Sequence, residues 1–468
     1  MTGSYGTGRS GVSWLPFWVP FQRSKEGNPI ENQLSIQYFV GHEREGTYIT
    51  LPFSMPSDTE SFSLSYRYER HHESASGTDG FTSRQEINII DLGLIAPDGT
   101  QVGASGSDKT GIEVSETHAT PGYRPSRLVP GEWQILLGAY KVAPAGVTVL
   151  YELTFTPKHL RLFKGDLHIH TLASDGVLTV EQLAQRALRH GLDFLAITDH
   201  NQMVSADSLP QPAGLTLIPG IEWTHYQGHA NFLGVERPYD EPFFANTPEE
   251  VQARFDSARA RGALITVNHP FDEICPFRFN MDALPFDSLE IWNGPMRESN
   301  LRAVGLWHTM LMAGKKVPIC GGSDYHRDQL FLFPGGPTTC VHAISASPAD
   351  ILSGLKQGHA YITFAPDGPT LEMTAGEAIP GDSVPFSRVR EIQIMVSGLL
   401  AGDVIQVVTA RGSTPILKAE IAGTMRGNYT MDAAGFGRVE ILRSFVPGLP
   451  MLPALISNPI YFEAEKDR

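Results

Sequence analysis

Cysteine, basic residues and long apolar runs are all scarce in this chain. Its three cysteines, Cys275, Cys320 and Cys340, are odd in number and form no CxxC pair, which excludes a disulfide framework and fits a reducing compartment. Lys and Arg number 36 against 51 Asp and Glu, a net charge of −15. A surface of that sign is repelled by a phosphate backbone or an anionic bilayer, so neither nucleic acid nor membrane is an expected partner. A small anionic substrate stays open, because bound cations can reverse the field inside one pocket. No run approaches the roughly 20 apolar residues that span a bilayer. Near the start, Trp14, Phe17, Trp18 and Phe21 are interrupted by Pro16 and Pro20. No basic leader precedes an unbroken apolar core, so no signal peptide is read there and a cytoplasmic location is expected. The aromatic arm, residues 1–33, is expected to be ordered, docked on its own domain or on a second subunit of a homo-oligomer.

What is present suggests about three domains in 468 residues. From 34 to 160 the chain reads as short strands, among them Tyr48-Ile49-Thr50-Leu51, Phe62-Ser63-Leu64-Ser65-Tyr66 and Val149 to Phe155, separated by turns such as Pro97-Asp98-Gly99. That pattern predicts a β-sandwich. From 161 to 367 strands alternate with helices. Phe194-Leu195-Ala196-Ile197 is a continuous apolar run suited to a parallel strand buried on both faces. Before it, Thr179 and Gln182 form a capping box, Gly191 marks an end, and Val180, Leu183, Ala184, Ala187 and Leu188 share a helical face. Thr247-Pro248-Glu249-Glu250 and Ser347-Pro348 start further helices. Strands are expected at 215–218, 230–233, 263–267, 288–292, 317–320 and 361–364. The alternation predicts a parallel sheet closed into a βα barrel. After Pro369, Ile392 to Val396, Val404 to Val408 and Val439 to Leu442 read as a small β-domain, 368–468, that packs against the barrel or a second subunit.

The chemistry concentrates in the middle segment, which holds 11 of the 16 histidines. In Asp166-Leu167-His168-Ile169-His170-Thr171, period-two alternation puts Leu167 and Ile169 on one side of a strand and both histidines on the other. Two imidazoles converging on a point suit a divalent transition metal; a polar strand face with unrelated histidines is the plain alternative. Other strand ends decide it. Asp199-His200, Glu222, His269, and Asp324 with His326 each follow a strand, and in a βα barrel these ends share one mouth. Repelling carboxylates and desolvated imidazoles gathered there need cations. His229 breaks the pattern, since it begins a strand instead of ending one.

In order and spacing, Asp-Leu-His168-Ile-His170-Thr with Ser-Asp175-Gly, Ile-Thr-Asp199-His200-Asn, Gly-Ile-Glu222, Asn268-His269-Pro270 and Gly-Ser-Asp324-Tyr-His326 resemble the motif series of the PHP (polymerase and histidinol phosphatase) superfamily across about residues 164–326. Gly228-His229-Ala-Asn-Phe-Leu-Gly234, Glu290-Ile-Trp-Asn293-Gly and the flanking β-segments are similar to its CehA/McbA (carbaryl hydrolase-like) branch. The resemblance implies an α/β chain with a distorted (β/α)7 TIM-like barrel, an N-terminal β-sandwich and a small C-terminal β-domain. It implies two or three divalent ions (Zn, Mn or Fe). His168, His170, Glu222 and Asp324 would hold one; Glu222 would bridge to a second, held also by His229 and His269; Asp175, His200 and His326 would hold a third. Asp175 stands where many relatives have histidine, a harder ligand that bears on the third ion.

Such a cluster turns a shared water into hydroxide near neutral pH. The expectation is a metal-dependent hydrolase using that bridging hydroxide, with Glu222, Asp324 and His326 as the catalytic side chains and Asp199 orienting a ligand. Asn293, Tyr325 and Arg327 are candidate contacts to a small-molecule substrate. A phosphatase or phosphodiesterase is favoured, with Arg278, Arg297 or Arg327 adding charge. The alternative is carbamate, ester or amide hydrolysis, with Phe271, Phe277, Phe279, Trp223 and Trp292 lining an aromatic pocket or packing a core. A non-catalytic metal-binding or interaction protein is the third reading.

Overall fold

A computed structural model describes residues 32–464, apart from 75–82, 236 and 238. The aromatic residues of the N-terminal arm lie outside the described residues. In the first part of the chain, strands Gln33–Val40, Val147–Pro157, Thr59–Arg67 and Gly111–Ser115 form one antiparallel sheet in that order. Thr47–Met55, Gly131–Lys141, Ile89–Ile95 and Gln101–Ser105 form another. Alternation builds both. Ile49, Leu51, Phe53 and Met55 are the buried positions of one strand, and Val147, Val149, Tyr151, Leu153 and Phe155 those of another. The apolar faces of the two sheets meet in a single core. Phe62 lies 6.0 Å from Phe53 and 6.2 Å from Trp133 between ring centres.

The strands from residue 161 onward are β1 (Arg161–Asp166), β2 (Phe194–Ile197), β3 (Thr216–His225), β4 (Gly228–Leu233), β5 (Leu264–Val267), β6 (Ser288–Asn293) and β7 (Ile319–Gly322). Each pairs with the next. The β1–β2, β2–β3, β5–β6 and β6–β7 pairs are parallel, whereas β4 runs antiparallel to both β3 and β5. The two ends of the run also touch. Ile169 and Tyr325 form a parallel bridge, Asp324 N–H donates to His168 O at 2.8 Å, and His170 N–H donates to Tyr325 O at 3.0 Å. Helices α1 (Val180–Arg189), α2 (Pro248–Ala260), α3 (Glu298–Met312) and α4 (Pro348–Lys356) lie in the connections. The expected caps are present: Thr179 with Gln182, Thr247 with Glu250 behind Pro248, and Ser347 on the Asp350 N–H. On α1, Leu183, Ala184 and Ala187 are buried, but Leu188, expected on the same face, is 39% exposed.

Uniform strand–helix alternation is not what the chain adopts; it is a mixed α/β protein. The strands expected at 215–218 and 230–233 are halves of a hairpin. β3 runs on through Pro219-Gly220, residue types that commonly end a strand, past the expected end at 218, and turns back at Tyr226-Gln227 directly into β4. The sheet then continues past β1. β8 (Thr338–Ala343) pairs antiparallel with β1 and with β9 (Ala360–Thr363), and β9 pairs with Leu452–Ser457. Strands Gly435–Arg443, Val404–Thr409 and Gly412–Lys418 follow, so one hydrogen-bonded sheet crosses the expected boundary at 367/368. Asn458 fastens the join, its Oδ1 accepting from Ile319 N–H at 3.0 Å and its side-chain amide donating to Ala360 O at 3.0 Å. No helix among the described residues is long and apolar enough to cross a membrane.

One group in this sheet gives a pH test of the fold. His342 of β8 is partly buried and its Nδ1 makes no hydrogen bond. Burial, with His359 close by, holds its imidazole down at about 4. An unfolded chain takes up this proton near 6.5 and the native one only near 4, so its contribution is complete above about 6.5 and is lost as the pH falls toward 4, by at most about 3 kcal/mol. Denaturant unfolding at about pH 7 and about pH 4.5 should show that loss, and His342→Gln should flatten it. An unchanged slope in the variant assigns the acid lability to other groups.

Candidate metal centre

β1 runs out at Asp166 and the chain continues extended through His170. Leu167 and Ile169 enter the core while His168 and His170 turn to the other face, and both imidazoles are fully buried. Glu222, from β3, is the hub they face. Its Oε1 lies 3.2 Å from His168 Nε2, 3.1 Å from His229 Nδ1 and 3.3 Å from His269 Nε2. Its Oε2 lies 2.8 Å from His200 Nδ1 and 3.5 Å from His170 Nε2. Asp324 Oδ1 is 3.0 Å from His170 Nε2 and 3.4 Å from His168 Nε2. At the outer edge, Asp175 Oδ1 is 3.3 Å from His326 Nε2 and 3.8 Å from His200 Nε2. All nine residues expected as ligands therefore meet in one cluster.

The antiparallel strand resolves the anomaly of His229. In the register of β3 and β4, Thr224 faces His229 and Glu222 faces Asn231. The beginning of β4 thus lies at the same edge of the sheet as the ends of its parallel neighbours, and a histidine that opens a strand reaches the same mouth. Backbone strain sits at two other ligand positions. His269 and Asp324 have φ of +24° and +51°, a conformation that costs of order 1–3 kcal/mol for residues other than glycine. It is held by His269 N–H donating to Glu290 Oε2 at 2.9 Å and by the Asp324 bond to His168 O.

Glu290 is the residue that sequence reasoning passed over. It is 2% exposed, and its Oε1 is 3.0 Å from His168 Nδ1. It fixes that ring so that Nε2 points at Glu222 and Asp324. A charged residue inside β6, where every position is buried, was the available signal. Asn268 supports the hub directly, donating to Glu222 Oε1 at 2.9 Å. Asp199, expected to orient a ligand, acts on a loop. Its carboxylate accepts from Thr171 N–H, Thr171 Oγ1 and Ser174 Oγ at 2.7–2.8 Å, holding the loop that carries Asp175.

The three candidate substrate contacts separate. Tyr325 is not in the mouth: it is fully buried beside Ile169 and Leu183, and its hydroxyl is taken by Arg186 and Asp328. Period-two alternation sends Asp324 and His326 one way and Tyr325 the other. Asn293 is also interior, its amide donating to Asp324 Oδ2 and Glu290 Oε2 at 3.2 Å while its Oδ1 accepts from Arg297, so it positions a carboxylate. Arg327 is exposed at the rim, 3.4 Å from Asp175 O. Of the aromatics, Trp223, Trp292 and Phe277 are core residues, with Phe271 and Phe279 packed against them; the aromatic pocket is replaced by core packing.

Burial disfavours charge on Glu222 and Asp324, yet the imidazoles facing them hold both carboxyls well below the usual range. Burial likewise opposes charge on His168, and Asp324, Glu222 and Glu290 outweigh it. Protons alone leave the cluster unsatisfied. His168 Nε2, both nitrogens of His170, His269 Nδ1 and Glu222 Oε2 are buried without a hydrogen bond, despite their close approaches. Buried polar atoms of this kind are costly unless they have partners, and imidazole nitrogens with carboxylate oxygens are donors that divalent ions take. The groups His168-His170-Glu222, His200-Glu222-His229 and His170-Asp175-His200-His326 each keep one ligand atom per residue within 4.8 Å of the others. The donor set fits divalent metal.

Glu290→Gln should leave folding intact and weaken metal binding by about tenfold to a hundredfold, the usual cost of losing a carboxylate behind a ligating histidine. Titration of the metal-free protein with zinc or manganese measures this; unchanged affinity would show that His168 needs no such support.

Residues 166–265 match the family model for the PHP domain. The matched span contains His168, His170, Asp175, His200, Glu222 and His229, while His269, Asp324 and His326 lie beyond it. Among curated proteins, the chain is similar to the 5'-3' exoribonuclease Rnm of Salmonella typhimurium, 37% identical over 100 residues, 19% of this chain and 34% of that protein. It is also similar to the 3',5'-nucleoside bisphosphate phosphatase of Chromobacterium violaceum, 30% identical over 105 residues, 21% of this chain and 36% of that protein. The chain thus spans about a third of the length of these relatives. Among solved structures, a two-domain protein of Bacteroides vulgatus containing a predicted PHP-like metal-dependent phosphoesterase aligns at 16% identity and a TM-score of 0.38, over 64% of this chain and 95% of that one. Six of the nine cluster residues accordingly fall within the stretch that matches the PHP domain model.

Proposed function

We propose that the chain is a metal-dependent phosphoesterase acting on a small molecule, built as a distorted (β/α)7 TIM-like barrel of the CehA/McbA branch between a β-sandwich and a small β-domain. The observation that carries this reading is the convergence of six imidazoles and three carboxylates, several of them buried without hydrogen bonds, at one edge of the sheet. Matches to the PHP domain and to proteins named for phosphoester hydrolysis support it. Divalent ions bound there would supply a water acidic enough to ionise near neutral pH and positive charge for phosphoryl oxygens.

The side chains divide the remaining work. His168, His170, Glu222 and Asp324 would hold one ion, His229 and His269 with Glu222 a second, and Asp175, His200 and His326 a third. Glu222 is fully buried and would be a fixed ligand. The Asp324 side chain is 25% exposed, so it meets both the interior ligands and the entering substrate, and it or His326 can pass a proton to the leaving oxygen. Arg327 at the rim adds positive charge for a substrate phosphate. The net charge of −15 favours a small phosphoester over a polynucleotide.

One feature supports carbamate or aryl ester hydrolysis as a second reading. Loops adjoining the ligands expose Leu172, Tyr226, Ile274, Leu330 and Phe331, each at least 60% accessible, a rim suited to an apolar substrate portion.

Metal-loaded protein should hydrolyse p-nitrophenyl phosphate, bis(p-nitrophenyl) phosphate or a nucleoside bisphosphate, and His168→Ala or Asp324→Asn should lower turnover roughly a hundredfold or more while circular dichroism of the β-domains is unchanged. Turnover of naphthyl carbamate or acetate with no phosphoester cleaved would select the second reading. Efficient degradation of a 5'-phosphorylated oligoribonucleotide would overturn the small-molecule assignment, and activity surviving both substitutions would overturn the site.

A further inference from the structure

Of the three cysteines, Cys320 and Cys340 are buried and only Cys275 reaches solvent. Cys275 lies on the loop after β5, six residues beyond the ligand His269. Its Sγ and one ring nitrogen each of His229 and His269 lie within 4.8 Å of one another. The loop is tightly fastened. His269 O accepts from Asp272 N–H at 2.9 Å, and Pro270 O accepts from Phe277 N–H at 3.1 Å. Asp272 Oδ1 accepts from Ile274 N–H at 2.9 Å, from Cys275 N–H at 3.2 Å and from the thiol at 3.5 Å. Arg278 N–H then donates to Gln227 O at 2.7 Å, tying the loop to the β3–β4 hairpin. Gly228, at φ +142°, permits that approach: a Cβ there would stand 2.8 Å from Phe277 Cα. The loop is thereby laid over the strand that begins with His229. A second observation comes from His269, which is 6% exposed: its Nε2 faces Glu222 Oε1 at 3.3 Å, and its Nδ1, on the other side of the ring, is left without a hydrogen bond for a further partner.

We propose that the Cys275 thiolate is a metal ligand, sharing an ion with His229 and His269. This rests on the reading of the cluster as a metal centre. Ligand atoms on a tetrahedral zinc, with bonds of about 2.1 Å to nitrogen and about 2.3 Å to sulfur, stand roughly 3.4–3.8 Å apart, so rotation of the Cys275 side chain completes the site. Binding replaces the S–H proton by the cation, and the proton passes to solvent. A soft sulfur beside two imidazoles selects zinc over manganese or magnesium. The group His170-Asp175-His200-His326 has no sulfur and includes a carboxylate 55% exposed, a harder set. The centre is therefore chemically unsymmetrical, with one position reserved for a thiophilic metal.

Cobalt substitution reads the ligand without turnover. Metal-free protein loaded with Co2+ should show thiolate-to-cobalt charge-transfer absorption in the near ultraviolet, and Cys275→Ser should abolish that band while visible d–d absorption persists. Zinc affinity should fall about tenfold or more in the variant, with manganese affinity changed less than about threefold. In unaltered protein, zinc but not manganese should protect the one accessible thiol from an aromatic disulfide reagent, a measurement that stands even where the variant misfolds. A cobalt protein with d–d bands but no charge-transfer band, or a thiol equally reactive with and without zinc, overturns the proposal and leaves the phosphoesterase reading intact. Absence of any cobalt absorption overturns both.

Discussion

Everything in the middle of this chain answers to one carboxylate. Glu222 is fully buried, and an isolated ionised group there would cost several kcal/mol even after relaxation. It stays ionised because five imidazoles arrive from four separate segments: His168 and His170 after β1, His200 after β2, His229 at the start of β4 and His269 after β5. No local stretch could supply that shell. It requires β1 to β5 to be adjacent and in register, and it requires the contact between residues 168–170 and 323–325 that brings Asp324 to the same place. The fold and the charge balance of the site are one condition.

The supports around the hub follow from it. Asp166 is itself buried, and burial pushes its carboxyl up to about 6 although Ser323, Gly335 and His168 N–H groups all donate to it. Those bonds fasten the chain after β7 to the end of β1, which sets the separation of His168 and Asp324. Glu290 does the same from β6, by gripping His168 and the strained backbone of His269 together. Asp199 grips the loop of Asp175. Each carboxylate that does not face the interior of the cluster thus fixes the position of a residue that does.

Strand periodicity and the strand-end rule are local, so an apolar run followed by His, Asp or Glu made His168, His170, His200, Glu222, His269, Asp324 and His326 visible in one dimension, whereas Asp175 and His229 entered only with the family resemblance. The caps of α1, α2 and α4 were legible for the same reason. Strand direction was not. Pro219-Gly220 concealed that β3 continues to His225, so the hairpin went unread and His229 looked misplaced. The roles of Glu290 and Asn293 depend on which ring or carboxylate lies across the mouth, and Tyr325 was misassigned because adjacency in sequence was taken for adjacency in space. Cys275 read only as a residue outside any disulfide, since its relation to His229 and His269 exists only once the loop after β5 is folded onto the hairpin.

The cluster is graded from inside to outside, and that gradient bears on how it works as the proposed metal centre. His168, His170 and Glu222 are sealed, whereas the side chains of His200, His326 and Asp175 are 26%, 23% and 55% exposed. A charge interaction weakens as water raises the local dielectric. On the proposed reading, an ion held by Asp175, His200 and His326 would therefore be bound less firmly than one beside Glu222 and would exchange with solvent more readily. On the same reading, substrate would enter at that edge, beside Arg327. The inner residues would then form a site whose geometry the fold determines, and the outer ones a position that substrate could help complete. Asp175 in place of an imidazole strengthens the distinction, because a flexible, hydrated carboxylate favours a hard ion at the one place where a phosphate oxygen would share it.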